Sequence, residues 1–238
     1  MILVTGGTGF VGGHVVRALR DAGRRVRVLV RDPGAAGELE ALGCELVEGD
    51  MTAPETLGRA LDGVACVIHL VAIRQGKDEQ FERIMSRGTR DLVDAARGAG
   101  VGRFVHMSAL GTNEQTKDLV PYYRAKWEME QAVQGSGLPY VVFRPSFVFG
   151  ADGGILPTFR RIARLAPVTP ITGSGEQRIQ PIWVDDVAAY FARAVELEDS
   201  TNRTFELGGP DVVDWNELWA RLKRALGVKR PSVHLPMA

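Results

Sequence analysis

The chain has little that would commit it to a special environment. Of its 238 residues only two are cysteines, Cys44 and Cys66. Both stand in apolar surroundings, which fits buried thiols in a reducing compartment rather than a disulfide framework. A chain of this length buries roughly three quarters of the surface that its unfolded form exposes, so it needs neither disulfides nor metal to hold together. There is no excess of charge, since 29 basic residues meet 29 acidic ones. That balance offers no basic stripe to a nucleic acid and no polybasic segment to an anionic membrane. No apolar run approaches a membrane span in length. Ile2-Leu3-Val4 follows the first residue with no charged or long apolar leader. The four histidines (His14, His69, His106 and His234) are scattered, and no thiol or carboxylate spacing suggests a metal. What is left is the expectation of a cytoplasmic protein, a monomer or homodimer, that handles a small molecule.

What the chain does have is a rhythm of apolar strands and amphipathic helices. Strands are predicted at Ile2–Thr5, Arg25–Val30, Glu45–Glu48, Cys66–Leu70, Arg103–Met107 and Tyr140–Arg144. Helices are predicted near Val11–Ala22, Pro54–Leu61, Glu79–Ala99 and Tyr123–Gln134. Val26–Val30 and Val67–Leu70 are continuous apolar runs, the mark of strands covered on both faces. Strand–helix alternation then predicts an α/β fold with a doubly wound parallel sheet. After Gly150 the rhythm breaks. A helix at Ile155–Ala166, a strand at Ile182–Val184, a helix capped by Asp185 or Asp186, a strand at Thr204–Leu207 and a helix around Trp215–Leu226 follow. We read 1–238 as a single domain with a small substrate lobe, built mainly from 150–182 and 204–238.

The first strand–helix junction reads Val4-Thr5-Gly6-Gly7-Thr8-Gly9-Phe10-Val11-Gly12. Its glycines at Gly6, Gly9 and Gly12 have the physical roles of a dinucleotide turn. A tight bend needs a residue without Cβ. The backbone must approach a pyrophosphate closely, and the helix start offers that anion free N–H groups and partial positive charge. Gly12 lets helix and strand pack closely. The position, opening the helix of a βαβ unit, is what lifts this pattern above an ordinary glycine-rich turn. An acid that would bind the adenosine ribose of NAD is looked for at the end of the second strand. There the sequence reads Val30-Arg31-Asp32. A guanidinium at Arg31 suits a 2′-phosphate, which favours NADP(H); the alternative leaves Arg31 in solvent and gives the ribose to Asp32. Asp50, after the third strand, either accepts from the adenine amino group or caps the next helix.

Tyr122 and Lys126 stand four apart at the start of a predicted helix, on one face. A phenol has a pKa of about 10. A neighbouring cation favours the phenolate and lowers that value, so the pair can serve as general acid and base beside a carbonyl or alcohol. Tyr123 lacks the four-residue spacing. Ser108 follows the fifth strand, where it either polarises a carbonyl or bonds to the local backbone.

Taken together these residues resemble the short-chain dehydrogenase/reductase superfamily in its extended and atypical branches, including the NAD-dependent epimerase/dehydratase group. The likeness is carried by Thr5-Gly6-Gly7-Thr8-Gly9-Phe10-Val11-Gly12, His69-Leu70-Val71-Ala72, Gly88-Thr89-Arg90-Asp91-Leu92-Val93-Asp94-Ala95-Ala96, Tyr122-Tyr123-Arg124-Ala125-Lys126, Arg144-Pro145-Ser146 and Trp183-Val184-Asp185-Asp186-Val187-Ala188. It is similar above all to the atypical group around the nucleotide-binding accessory subunit of respiratory complex I. The resemblance implies a Rossmann fold in which Gly6, Gly9, Phe10 and Val11 hold the pyrophosphate, with Thr8 and Gly12 in the same turn. It implies that Arg31 meets the 2′-phosphate and Asp50 the adenine, with Met51 alongside. Leu70, Val71, Ala72 and Met107 would line the cofactor, and Pro145 and Phe147 would border the nicotinamide. Tyr122 would be the acid/base, and Lys126 would grip the nicotinamide ribose and tune it.

One departure stands out. Where active members often carry a relay asparagine, three before the Gly-Thr pair, this chain has Met85. A thioether cannot hold a relay water as an amide does. Two functions follow as expectations. The first is an NADP(H)-dependent oxidoreductase that moves hydride to or from a carbonyl, alcohol or sugar-nucleotide-like substrate. The second is a catalytically weak or inactive NADPH-binding structural or regulatory protein.

Overall fold

The computed structural model describes residues 1–236. The central strands of its seven-stranded sheet are apolar runs that have no polar face to show to water. Strand β1 (Ile2–Thr5) is buried throughout and leads into helix α1 (Phe10–Asp21). There follow β2 (Val26–Val30), α2 (Gly37–Ala41), β3 (Glu45–Glu48), α3 (Leu57–Ala60) and β4 (Cys66–His69). Helix α4 (Asp78–Gln80) runs through a π-helical stretch, Phe81–Arg87, into α5 (Gly88–Gly98). Then come β5 (Arg103–Met107), α6 (Pro121–Gln134) and β6 (Tyr140–Pro145). After the break come β7 (Val148–Phe149), α7 (Leu156–Leu165), β8 (Thr169–Thr172), β9 (Arg178–Ile179) and β10 (Ile182–Trp183). The chain ends with α8 (Val184–Ala194), β11 (Arg203–Leu207), β12 (Val213–Asp214), α9 (Trp215–Ala225) and β13 (Ser232–Leu235).

The sheet runs β11-β6-β5-β4-β1-β2-β3, and every pairing in it is parallel. The doubly wound parallel sheet read from the sequence is therefore the fold. Edge strand β3 alternates in burial, while β1 and β4, at the centre, are covered on both faces. One core cluster carries Leu3, Val67, Phe104 and Val142 from the strands, with Leu92, Val93 and Ala96 from α5. Each of the larger side chains among these stabilises the fold by about 1.5–3 kcal/mol relative to exposure. Cys44 and Cys66 are both free and buried, as expected.

The chain divides into two compact units, residues 1–145 with 185–207, and residues 146–184 with 208–238. This corrects the lobe drawn from the sequence. Its stretch 204–207 belongs to β11, which pairs with β6 in the main sheet (Phe205 opposite Phe143, Leu207 opposite Pro145). In the smaller unit Asp214 caps α9 by accepting from the Glu217 N–H at 2.7 Å. Trp219, Ala163 and Ile171 form its buried centre, with Phe159 tilted on Trp219 at 4.7 Å. Two further corrections are local. Helix α8 starts at Val184, so Asp185 and Asp186 lie in its first turn instead of capping it. The helix read over Pro54–Leu61 opens as a 3₁₀ turn at Pro54–Thr56, with Ala53 and not Asp50 at its N-cap.

Candidate functional site

The glycine turn is shaped by contacts that no side chain would permit. Gly6 has φ +78°, and a Cβ there would lie 3.0 Å from the Leu70 carbonyl carbon and the Val71 nitrogen. A Cβ on Gly12 would lie 2.0 Å from the Gly6 oxygen, and one on Gly7 2.6 Å from Val28 Cγ1. The turn is thus pinched between β2, the end of β4 and its own helix. Gly9 stands at the N-cap of α1 with no side-chain cap, and the first turn holds no acid. Its leading N–H groups and dipole are therefore left for an anion. Phe10 and Val11 are half-buried and Thr8 is exposed. This is a cradle that fits a pyrophosphate, and a dinucleotide is the ligand class that fits it.

Around it the other predicted cofactor residues fall unevenly. Arg31 follows β2 and is exposed. The Asp32 carboxylate accepts from the Gly34 N–H at 2.9 Å and caps a short turn. Asp50 accepts from the Thr52 N–H at 2.7 Å and the Thr52 hydroxyl at 2.8 Å. Those bonds, foremost the backbone one, hold its pKa below the usual carboxylate value, and the Arg31 and Arg83 guanidinium groups add to the effect. The Met51 side chain is core, and its carbonyl lies against Gly88. Leu70 and Val71 are half-buried beside the glycine turn, and Ala72 is exposed. Pro145 is buried in β6, while Phe147 lies in the smaller unit, edge-on to Trp215 at 5.4 Å.

Under this turn sits a clamp that the sequence reading missed. The Thr89 hydroxyl donates to the Met85 carbonyl at 2.5 Å, so toward His69 Nε2, at 2.9 Å, it accepts. His69 Nδ1 then accepts the Thr5 hydroxyl proton at 2.6 Å. The clamp joins β1, β4 and α5 directly beneath Gly6. The histidines are not all scattered, because the β4–β5 register sets His69 opposite His106 and their rings stack at 5.4 Å. His106 is fully buried and neither of its nitrogens has a well-formed hydrogen bond, the His69 backbone being the polar group that approaches the ring. Burial, with the Lys126 charge adding to it, pushes His69 down to about 3 and His106 well below its usual value.

The expected acid/base residues stand just after β5 (Ser108) and in the first two turns of α6 (Tyr122 and Lys126). Lys126 is fully buried, and its Nζ donates to the Met107 carbonyl at 2.7 Å. That Nζ lies 5.9 Å from the centre of the Tyr122 ring. One turn on, Glu130 is buried in a bidentate pair with Arg144 at 2.9 and 2.6 Å. Ser108 is buried, its hydroxyl donating weakly to Thr112 Oγ1 at 3.4 Å. Tyr123 is occupied elsewhere, its hydroxyl donating to the Leu110 carbonyl at 3.3 Å.

The electrostatics invert one expectation. Lys126 was expected to lower the Tyr122 pKa, but burial pushes that phenol up to about 12, with Tyr123 adding and Arg74 opposing. It is Lys126 that moves toward neutrality, pulled down to about 7 by burial against the favourable Glu130 charge. The reason is desolvation: the ring packs on the apolar cluster of Phe81, Met85, Ala125 and Met129. Met85 lies in the π-helical stretch, a feature frequent at functional sites. It is fully buried, and its sulfur accepts from the Ile73 N–H at 3.4 Å.

Fold and turn together define a Rossmann dinucleotide-binding protein. The comparisons place it further: residues 2–208 match the NAD dependent epimerase/dehydratase family, and the chain belongs to that family. It is 33% identical over 246 residues to the ceramide reductase of Caulobacter vibrioides, covering 99% of this chain and 74% of that protein. It is 32% identical to the photosystem II assembly factor Ycf39 of Guillardia theta, covering 99% and 73%. Among solved structures gox2253 superposes with a TM-score of 0.86 at 29% identity, covering 99% of this chain and 78% of that one. The chain is thus of the NAD(P)-dependent oxidoreductase class. No helix among the described residues is long and apolar enough to cross a membrane.

Proposed function

We propose that the protein is an NADP(H)-dependent reductase of small carbonyl substrates, with Tyr122, Lys126 and Ser108 as its catalytic residues. The observation that carries this is the buried Lys126, anchored on Met107 at the end of β5 and one helical turn from Tyr122. The bound nicotinamide cofactor supplies the hydride. Tyr122 gives the substrate oxygen its proton and is itself resupplied from Lys126, whose depressed pKa lets it release one near neutrality. The Ser108 hydroxyl, held only weakly by Thr112, is free to turn and donate to the carbonyl oxygen. Preference for NADP(H) rests on Arg31, because the competing ribose acceptor, Asp32, already spends an oxygen on Gly34. Asp50, ionised and with acceptor capacity left, suits the adenine amino group. Two relatives carry names of this class, the ceramide reductase and an NAD(P)H azoreductase of Xenophilus azovorans.

A second reading has its own support. Met85 seals the side of Tyr122 where a relay would run, Tyr122 is held protonated up to about 12, and Ycf39 is named an assembly factor. On that reading the bound nucleotide stabilises or signals. The deciding experiment follows NADPH fluorescence with a broad carbonyl panel. Steady oxidation that stops in Tyr122→Phe supports the reductase; tight binding without turnover across the panel supports the second reading.

A further inference from the structure

The loop between Ser108 and Tyr122 is built inside out. Its Asn113 and Thr116 side chains bond inward. The Thr116 hydroxyl donates to the Gly111 carbonyl at 2.5 Å, and the Asn113 carboxamide accepts from the Gln115 and Thr116 N–H groups at 2.9 and 3.0 Å. Its aliphatic side chains stand in water. Leu119 is 69% exposed, Val120 45% and Leu110 37%; among the described large hydrophobic residues only Leu165 is more exposed than Leu119. The exposure is not that of a slack loop. The Val120 carbonyl takes the Tyr123 N–H at 3.0 Å, and the Leu110 carbonyl takes the Tyr123 hydroxyl. Both ends of the aliphatic ledge are therefore tied to the residue next to Tyr122. Nor does the loop offer charge to a ligand. Lys117 pairs with Glu114 at 2.6 Å and Asp118 with Arg124 at 3.3 Å.

We infer that Leu110, Leu119 and Val120 form the seat of an uncharged hydrocarbon chain carried by the substrate, so that the carbonyl delivered to Tyr122 belongs to an alkyl or prenyl ketone and not to a sugar nucleotide. An exposed, rigid aliphatic surface beside a reacting group gains from covering by hydrocarbon. Within the loop a phosphate-bearing ligand finds the charges already paired, so that the cation left acting on Tyr122 is Arg74, outside the loop. The inference rests on the reductase reading for its choice of carbonyl, but its test does not need turnover.

The test is calorimetric titration of 2-alkanones, from 2-butanone to 2-dodecanone, into protein saturated with NADP⁺, which cannot reduce them. Affinity should rise about fourfold per added methylene, the effect of burying each CH₂. In Leu119→Ser/Val120→Ser that dependence should fall to about twofold or less per methylene. Leu197→Ser, an exposed site elsewhere, should keep the full dependence, and NADP⁺ affinity reports that each variant is folded. Affinity independent of chain length overturns the inference, as does a dependence unchanged in the double variant. UDP-glucose binding tighter than 2-dodecanone also overturns it. So does a dimer that the double substitution dissolves while the ketone series stays unchanged, which assigns the ledge to a second copy. Failure of NADP⁺ to bind counts against the cofactor reading alone, and the same series on nucleotide-free protein still decides the ledge.

Discussion

The two ends of the site are made of different material. The nucleotide end is backbone: a bend at Gly6, a bare N-cap at Gly9, a close approach at Gly12. The proposed acid/base end is side chains, Tyr122, Lys126 and Ser108, whose titration and hydrogen bonding are set by what surrounds them. A backbone device works by exclusion, since any Cβ ruins it. A titrating device works by environment, and the same two residues behave differently when buried or wet. That is why the turn takes the shape its spacing implies while the Tyr122–Lys126 pair reverses the expected direction of its shifts.

The largest effect that would break this contrast lies at the acid/base end. Tyr122→Phe should lower kcat by about 10²–10⁴ and leave NADPH affinity within about twofold, as measured by single-turnover oxidation and fluorescence titration. Equal loss of both would mean that Tyr122 is part of the nucleotide end. In the wild type, the reductive kcat/KM should fall as pH rises through about 7, as the buried Lys126 loses its proton. A flat profile from pH 6 to 9 would remove Lys126 from proton supply.

At the nucleotide end Gly12→Val should weaken NADPH binding by roughly 10- to 100-fold, because its Cβ must displace the Gly6 carbonyl at on the order of 1–3 kcal/mol. A crystal structure or circular dichroism showing an intact fold would separate this from unfolding, and unchanged affinity would rule out the pinched turn. The histidine pair sharpens the comparison, since His69 clamps one end and His106 lies next to Met107 under the other. Both are held neutral when folded, with pKa values depressed from the unfolded value of about 6.5. Their stabilising contribution is therefore complete above about pH 6.5 and is lost as pH falls through the folded values, about 3 for His69. Urea unfolding at pH 7.5 and pH 5 should differ by roughly 2 kcal/mol for His69, with His106 acting in the same direction. His106→Phe, which removes an imidazole without a well-formed hydrogen bond, should shrink that difference; no change would mean that His106 is charged or hydrated in the fold. The smallest effect is expected at the rim. Arg31→Ala should weaken NADPH about tenfold, as loss of one charge-assisted contact would, and leave NADH unchanged. Equal loss for both cofactors would end the NADP preference.

Much of this was legible in the residues. The apolar pattern gave β1 and β5 to the residue, because a strand covered on both faces has no alternative, and it gave edge strand β3 through its apolar Leu46-Val47 centre between two exposed glutamates. The Gly6–Gly12 turn was legible because its requirement is local. The stack of His69 on His106 was not, since it arises from the β4–β5 register between residues 37 positions apart in sequence. The π-helical stretch around Met85 was hidden for a similar reason. No local propensity marks it, and it is held by the packing of Phe81, Met85 and Ala125.

The sequence by itself determined the order of strands and helices, the glycine cradle at the head of α1, and which tyrosine stands one turn before a lysine. Only the tertiary structure decided that β11 joins the main sheet, that Lys126 and not Tyr122 is the group moved toward neutrality, and that the loop before Tyr122 turns its aliphatics outward. The physical reason is range. Dihedral and periodic preferences act over a few residues of chain. Desolvation and strand pairing depend on neighbours that the chain brings together only once it has folded.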